Sequence, residues 1–323
     1  MKLLFILDPL VSLKSYKDTS LAIMREAAKR GHQLYVCEQH EVFLQQEKVF
    51  VLVREFGFKE AEVYYALGEK QTLRPTDFTA VINRKDPPFD NEYLYLTYLL
   101  ELAANQGAVV LNNPKSVRDW NEKLAVTHFP QFTPEFLVTA KQDLILEFLN
   151  THNDIIVKPL DGMGGSGIFR LKTDDPNLSV ILETATQFGT KTIMAQRYLP
   201  AILQGDKRII VIDGKPLDYV LARIPKAGET RGNLAAGGTG VAQLLTEKDR
   251  EIAETIGKTL KQKGLFLVGL DVIGEHLTEI NVTSPTGMVE IAAQTTCKPA
   301  NVLMEALEKH MSASHLTASH AKQ

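Results

Sequence analysis

The chain has 323 residues, of which 44% are hydrophobic and 23% are charged. This composition is ordinary for a globular protein, and the length is sufficient for two or three structural units. Its formal net charge of -3 excludes a global basic field for nucleic acid or for an anionic membrane surface. Two cysteines are too few for a disulfide scaffold, and the apolar run over residues 3–7 is too short for a signal peptide or a membrane span. We therefore expect a cytoplasmic protein.

The first 121 residues predict an open parallel α/β unit of the Rossmann-like kind. An apolar strand, a polar loop, an amphipathic helix and a second apolar strand follow one another over residues 2–37. This order predicts a right-handed parallel unit. Further strands are predicted at 80–83 and 108–111, with a helix over 92–105 between them. No GxGxxG follows the first strand, which disfavours a dinucleotide site there.

The remaining chain predicts two further subdomains and a tail. We expect a smaller unit over 122–200, a second unit over 201–311 and a disordered tail over 312–323, because the tail is small and polar. The elements predicted in these units are, in chain order, helices at 122–127 and 141–151, strands at 154–158 and 168–172, a helix ending near Gly189, strands at 192–196, 207–212 and 215–224, a helix at 246–263, strands at 268–273 and 277–282, and a helix at 299–311.

A glycine-dense loop follows the strand that ends at Lys158. Residues 161–167 contain four glycines, whose backbone N–H groups can approach a phosphate closely. The loop is not a Walker A motif, because no Gly-Lys-Ser/Thr closes it. The alternative is a plain glycine-rich turn beside a surface lysine.

A second glycine-rich segment spans residues 225–241 and is too long for a tight connection. Long loops in compact domains are usually lids or binding loops. Arg223, Lys226 and Arg231 would concentrate positive charge over a bound polyanion. The alternative is a solvated flexible loop.

Two acidic strands near the end of the chain predict a metal site. Glu279 and Asn281 share one face of their strand, and Asp271 comes alongside if the two segments pair as a hairpin. Two carboxylates and an amide oxygen are hard donors suited to magnesium held with nucleotide phosphates. The alternative is a wet edge hairpin with its polar residues outward.

Arg84 follows a predicted strand of the first unit, at the sheet edge where open α/β sheets bind ligands. A rigid diproline turn with an exposed Arg-Lys pair is the alternative.

The eight histidines show no metal-ligand spacing, and we expect them at the surface.

Together these segments resemble the ATP-grasp superfamily and, within it, the bacterial glutathione synthetases. The resemblance covers residues 1–310. It rests on a lysine in the first linker, the strand lysine, the glycine loop and the metal strands, and on six segments: 84–90, 158–165, 195–200, 205–208, 228–238 and 278–285. The Gly-Glu-Thr-Arg-Gly-Asn-Leu-Ala-Ala-Gly-Gly segment is specific to that family, whereas the metal strands are common to many ATP-grasp enzymes.

The resemblance implies a two-subdomain ATP-grasp fold after the first unit, and a role for each matched residue. It implies that ATP is held by Lys123, Lys158, Gly164, Gly165, Gln196, Tyr198, Leu199, Asp206 and Arg231. It implies that two Mg²⁺ or Mn²⁺ ions are bound by Asp271, Glu279 and Asn281. It implies that Arg208 and Arg223 neutralise the transferred phosphoryl group and the developing oxyanion, and that the peptide substrate is held by Arg84, Asn233, Ser284 and Thr286.

By the same resemblance the chain would join γ-glutamylcysteine to glycine at the expense of ATP, under a lid formed by residues 225–241. It would act on small molecules, without nucleic acid or membrane, as a homo-oligomer (dimer or tetramer). Two positions depart from many members, since Thr239 and Val289 stand where those carry a basic residue and an arginine. The alternatives are another ATP-grasp peptide ligase, such as a D-alanine–D-alanine or peptide glutamate ligase, and a non-catalytic nucleotide-binding protein on the same fold.

Overall fold

A computed structural model of the chain describes residues 1–229, 231–234 and 237–320. Its first unit is a seven-stranded sheet with helices α1 (Thr19–Lys29), α2 (Asn91–Asn105) and α3 (Pro114–Asp119). The strands are β1 (Lys2–Leu7), β2 (Gln33–Glu38), β3 (Val42–Gln45), β4 (Lys48–Phe58), β5 (Tyr65–Leu73), β6 (Ala80–Asn83) and β7 (Val110–Leu111). They lie in the order β3-β4-β2-β1-β6-β7, with β5 also paired to β4.

The predicted parallel unit is confirmed for β2, β1, β6 and β7, which pair in parallel. The sheet as a whole is mixed, because β3, β4 and β5 add antiparallel pairings that the sequence analysis left out. A signal for β4 was present, since Val49, Val51 and Val53 are buried at every second position, the period of a half-buried strand.

The second sheet has four antiparallel strands. They are β8 (Phe136–Thr139), β9 (Asp154–Pro159), β10 (Phe169–Lys172) and β11 (Ile193–Arg197), in the order β10-β9-β11-β8. Helices α4 (Gln142–His152) and α5 (Leu178–Ala185) cover one face and share an apolar core with it. This small sheet places Lys158 near the end of its second strand in the chain, directly before the glycine loop.

The third sheet has five antiparallel strands in the order β14-β13-β12-β15-β16. The strands are β12 (Asp206–Ile212), β13 (Lys215–Ile224), β14 (Thr239–Leu244), β15 (Leu267–Ile273) and β16 (His276–Asn281). Helices α6 (Glu247–Gln262), α7 (Met288–Gln294) and α8 (Pro299–His320) accompany this large sheet. The predicted hairpin of β15 and β16 is confirmed.

Two predicted elements are corrected. The helix expected over 122–127 is a 3-10 helix at Leu124–His128, since Pro130 follows too closely for an α-helix to continue. The tail expected to be disordered from Ser312 is helical to His320, as α8 continues through a stretch without glycine or proline. Residues 321–323 of that predicted tail lie outside the described residues.

The first unit packs directly on the large sheet, and this contact creates the cleft described below. Leu3 and Phe5 of β1 share one apolar core with Ile210 and Leu221 of the large sheet. Asn112 reinforces the contact, because its amide donates to the carbonyls of Leu267 and Val282, each at 2.8 Å, and accepts from the Leu267 N–H. Within the described ranges, no helix is both long and apolar enough to cross a membrane.

Candidate active site

The hairpin of β15 and β16 brings the three predicted metal ligands onto one sheet face. Asp271 lies directly opposite Glu279, and Asn281 lies opposite Gly269. Residues directly opposite in an antiparallel pair share a face, as do residues two apart on one strand. The Asn281 amide nitrogen donates to the Gly269 carbonyl at 3.2 Å, which leaves the amide oxygen as an acceptor.

Asp271 belongs to an arginine cluster that also contains Asp206, Arg208 and Arg223. Arg208 donates hydrogen bonds to both carboxylate oxygens of Asp271, and the one to Oδ2 is 3.0 Å long. Arg223 forms an ion pair with the same Oδ2 at 2.8 Å. Arg223 also contacts the Asp206 carboxylate. Burial alone would raise the pKa of Asp271, but the two guanidinium groups hold it below its usual range. Burial raises the pKa of Asp206 to about 7 despite Arg223.

Glu279 belongs to a lysine cluster with Lys123 and Lys158. The two ammonium groups lie 3.7 and 3.5 Å from Glu279 Oε1, beyond hydrogen-bond range. Lys123 instead donates to the Gly162 carbonyl at 2.8 Å, and Lys158 to the Thr278 carbonyl at 3.2 Å. Burial opposes ionisation of Glu279, but the two lysines more than offset it, so its pKa lies below the usual range. Burial lowers the pKa of Lys158.

The glycine loop and the predicted lid touch each other. Gly164 and Gly165 have φ of +64° and +83°, conformations that favour glycine. Arg231 donates to the Gly165 carbonyl at 3.3 Å, and a Cβ added at Gly165 would lie 2.7 Å from Asn233 Oδ1. The lid is therefore in contact with the loop it was predicted to cover. Three of its residues, Thr230, Ala235 and Ala236, lie outside the described part of the chain.

A cleft between the small and large sheets, with about 820 Å³ of empty space, brings together all nine predicted ATP-binding residues. This nucleotide cleft has an apolar side that includes Ile156 and Leu199. Gln196 is buried there, and its Nε2 has no partner among the described residues. A buried amide without a partner is costly in a folded protein, so a polar ligand group is expected to meet it.

A second, wider cleft of about 1690 Å³ lies between the first unit and the large sheet. This substrate cleft contains Asn233, Ser284 and Thr286, together with Asn281 and both predicted catalytic arginines. The two clefts share one wall, formed by Gly162, Met163, Gly164, Asn233 and Glu279. Glu279 therefore faces both ligand spaces at the point where they meet.

Arg84 does not line either of these clefts. It is buried, and its guanidinium donates to Ser20 Oγ and to the Pro285 carbonyl, each at 3.0 Å. It holds the backbone next to Ser284, whose hydroxyl contacts Asp86, and its part in holding the peptide stays a prediction. Asp206 lines the nucleotide cleft, but one of its oxygens is already engaged by Arg223 and the other has no partner among the described residues.

Sequence reasoning missed Glu122, which lines the substrate cleft. Its Oε1 accepts hydrogen bonds from the backbone of Val282 and Thr283 and from the Thr283 hydroxyl. Burial raises the pKa of its carboxyl group. A single glutamate ahead of Lys123 carries no pattern in the sequence, so only its position in the fold could identify it. Of the two positions that depart from many members, Thr239 is exposed in β14 and Val289 is half-buried in α7.

The donors fit a hard divalent cation at Glu279 and Asn281. Their carboxylate and amide oxygens face the clefts where nucleotide phosphates would lie, which is the donor chemistry that Mg²⁺ prefers. Asp271 fits less directly, because both of its oxygens are held by arginines. Within the described residues, no group of three or more histidine, cysteine, aspartate or glutamate side chains could hold a metal ion, so the remaining ligands would come from the nucleotide and water.

Comparison with known proteins accounts for nearly the whole chain. Residues 1–118 match the model of the prokaryotic glutathione synthetase N-terminal domain, and residues 122–296 match that of its ATP-grasp domain. The glutathione synthetase of Nitrosomonas europaea is 58% identical over 96% of this chain and 98% of its own length. That of Pseudomonas putida is 52% identical over 95% and 98%.

Similar solved structures support the same fold. D-cycloserine synthetase DcsG superposes with a TM-score of 0.67 at 13% identity, covering 96% of this chain and 99% of that one. D-alanyl-alanine synthetase A of Vibrio cholerae superposes with a TM-score of 0.59 at 14% identity, covering 97% and 99%. At such identities the likeness concerns the fold alone. With the match of residues 122–296 to an ATP-grasp domain model, the predicted α/β ATP-grasp class is confirmed.

Proposed function

The chain belongs to the prokaryotic glutathione synthetase family and is an ATP-dependent ligase that makes glutathione, and we propose that it works through an acyl phosphate formed where the two clefts meet. The observation that carries this proposal is the shared wall. Glu279 and the glycine loop border both the nucleotide cleft and the substrate cleft, so a γ-phosphate in one and a carboxylate in the other can come together there.

The first step transfers the γ-phosphoryl group of ATP to the cysteine carboxylate of γ-glutamylcysteine. The carboxylate oxygen attacks phosphorus, the bond to the bridging oxygen breaks, and ADP leaves. A carboxylate is a poor acceptor for an amine because it is anionic and has no good leaving group, whereas an acyl phosphate has one. The glycine amine then attacks the acyl carbon, phosphate leaves with the bonding electron pair, and the amine loses a proton.

Phosphoryl transfer asks the protein mainly for positioning and charge neutralisation. We assign Lys123 and Lys158 to the ATP phosphates, since their ammonium groups face Glu279 across a gap too long for a hydrogen bond. Arg208 and Arg223 line the substrate cleft and are assigned to the transferred phosphoryl group and the developing oxyanion. Their fixed contacts with Asp271 orient them before the substrates arrive.

The adenine end is assigned to the buried segment around Gln196, Tyr198 and Leu199, and the ribose to Asp206. Tyr198 is held in place by the guanidinium of Arg170, 3.6 Å from its ring centre. The loop glycines and Arg231 are assigned to the phosphates. Closure of the segment over 225–241 would keep water from the acyl phosphate until glycine attacks.

We propose two Mg²⁺ (or Mn²⁺) ions held by Glu279, Asn281 and Asp271. When bound there, such ions would neutralise part of the phosphate charge, and the lysines and arginines of the protein would neutralise the rest. For Asp271 this requires Arg208 to release Oδ1, the carboxylate oxygen that Arg223 does not contact.

The peptide substrate is assigned to Asn233, Ser284 and Thr286, with Arg84 fixing the backbone at Pro285. Because Val289 and Thr239 replace basic residues of many members, the contacts of the glycine side and of the lid are expected to rely on other groups. We further propose a cytoplasmic enzyme that acts on small molecules, without nucleic acid or membrane, as a homo-oligomer.

The test is phosphate release from MgATP with γ-glutamylcysteine and glycine supplied together or singly. Turnover is expected only with both, and mass spectrometry should identify glutathione. D-alanine pairs are expected to be inactive. If they drive turnover instead, the alternative D-alanine–D-alanine type of ligase is correct, and if no pair does while ATP binds, the non-catalytic alternative is correct.

A further inference from the structure

The strand that carries Glu279 and Asn281 lies at the edge of the large sheet. β16 pairs with β15 on one side only. An edge strand leaves every second N–H and C=O group without a strand partner, and buried backbone groups must find partners elsewhere. The partners found at this edge show what fixes the strand.

One of those groups, and the backbone just after the strand, are satisfied by Glu122. Its carbonyl accepts from the Ile280 N–H at 2.8 Å. Its Oε1 accepts from the Val282 N–H at 3.1 Å, the Thr283 N–H at 3.2 Å and the Thr283 hydroxyl at 2.7 Å. These four hydrogen bonds reach Ile280, which lies between the two metal ligands, and Val282 and Thr283, which directly follow the strand.

The segment around Glu122 is in turn fixed to the glycine loop. Asn121 donates to the Leu160 carbonyl at 2.9 Å, at the start of that loop. Its Oδ1 accepts from the N–H groups of Lys123 and Leu124. Lys123 donates to Gly162 and faces Glu279. Glu122 is therefore the middle of a short bridge from the phosphate-binding loop to the metal strand.

We infer that Glu122 is a positioning residue, which fixes the edge of β16 so that Glu279 and Asn281 present their oxygens to a divalent cation bound with the nucleotide. The inference rests on the proposed function, because it is the metal–nucleotide complex that needs this placement. Groups behind metal ligands orient them, and removing such a group typically lowers metal affinity by about ten- to a hundredfold.

Two substitutions of Glu122 should differ in their effect, because only one of them keeps an acceptor for its three donors. Glu122→Ala removes the acceptor of three donors and leaves them unsatisfied in a buried place. Glu122→Gln keeps an oxygen that can accept at the same position, but it loses the negative charge that strengthens such bonds. Glu122→Gln should therefore restore most of what Glu122→Ala loses.

The experiment measures Mn²⁺ binding by electron paramagnetic resonance in the presence of ADP, and ADP binding without any divalent ion by calorimetry. Glu122→Ala is expected to weaken Mn²⁺ binding about tenfold or more. Its metal-free ADP affinity should stay within about twofold of wild type, since the nucleotide cleft is untouched. Equal weakening of both, or of neither, overturns the inference.

Asp249→Ala is the matched control. Asp249 is also buried, and its carboxylate also accepts from a backbone N–H, that of Thr246, while contacting Lys207. Lys207 points to the opposite sheet face from Arg208, because neighbouring strand residues alternate. This variant should lose stability but keep wild-type Mn²⁺ binding, and a loss there like that of Glu122→Ala would assign the effect to stability alone.

Thr283→Val decides the matter if Glu122→Ala does not fold. It removes only one of the three donors, so it should weaken Mn²⁺ binding by less than Glu122→Ala but measurably, and wild-type affinity would overturn the inference. Measurements on the wild-type protein distinguish a failure of the proposed metal site from a failure of the role assigned to Glu122. If ADP does not promote its Mn²⁺ binding, the proposed metal site fails; if ADP does and the variants match wild type, only the role of Glu122 fails.

Discussion

The arginine cluster and the lysine cluster each contact one of two carboxylates that lie opposite each other in the same hairpin, but they do so in different ways. Asp271 is gripped by two guanidinium groups at hydrogen-bond distance, and 4% of its side chain is exposed. Glu279 faces two ammonium groups at 3.5 Å or more, and 18% of its side chain is exposed. The first carboxylate is already satisfied within the protein, whereas the second keeps its oxygens for a ligand.

This difference separates a pre-oriented part of the site from a receptive part. Arginine forks match carboxylates in a fixed planar geometry, so the arginine cluster is rigid before substrates bind. Lysines carry a compact charge on a flexible chain and can turn toward phosphate oxygens. The same change made in each cluster should therefore have different consequences.

Glu279→Gln gives the largest expected effect on activity. Replacing the carboxylate with an amide removes a charged metal ligand from the shared wall, so the rate of phosphate release should fall by about two to three orders of magnitude. The melting temperature should fall by less than in Asp271→Asn, because Lys123 and Lys158 lie 3.5 Å or more from Glu279 and also donate to backbone carbonyls. Glu275→Gln, in the exposed turn of the same hairpin, is the control and should keep wild-type turnover. Near-normal turnover of Glu279→Gln would remove it from the site.

Asp271→Asn gives the largest expected effect on stability. It leaves Arg208 and Arg223 buried without their shared carboxylate, which should lower the free energy of unfolding by about 3 kcal/mol. Urea denaturation of this variant beside Glu279→Gln measures the contrast directly. Equal losses in the two variants would mean that the clusters do not differ as the distances indicate.

Lys158→Gln should act mainly on ATP binding. Removing one charge-assisted contact with phosphate costs about 1.5–3 kcal/mol, so the KM for ATP should rise about ten- to a hundredfold, with a smaller loss in kcat. Lys172→Gln, exposed on the neighbouring strand of the same small sheet, is the control and should leave the KM for ATP unchanged. A rise only in the KM for γ-glutamylcysteine would move Lys158 to the other cleft.

Gly165→Ala tests the contact between the glycine loop and the lid and has the smallest expected effect. The added Cβ would clash with Asn233 Oδ1 at 2.7 Å, and φ is +83°. Gly31→Ala is the control, with φ of +78° and nothing within 4 Å of the added Cβ. Both variants should lose about 1 kcal/mol of stability, but only Gly165→Ala should lower kcat/KM, by about tenfold. Equal kcat/KM values would show that the contact does not matter.

Most of the fold and most of the site could be predicted from the sequence. The strand periods predicted β1, β6, β9 and the β15–β16 hairpin, and the resemblance to a known family implied nine residues that the structure places around the nucleotide cleft. The antiparallel strands β3–β5 were left out. The continuation of α8 beyond residue 311 was not predicted, because a small, polar composition does not distinguish a disordered tail from a helix.

What the sequence determined by itself is the set of chemical groups: the lysines, the arginines, the hard oxygen donors and the two glycine-rich loops, each given by residue type and local spacing. Only the tertiary structure decided how those groups are paired. Arg84 donates to the Pro285 carbonyl, Asp271 is shared between two arginines, and Glu122 accepts from the backbone that directly follows β16. The physical reason is that these hydrogen bonds and ion pairs form between groups far apart in the sequence, up to 201 positions for Arg84 and Pro285, where no local pattern records which partner the packing brings near.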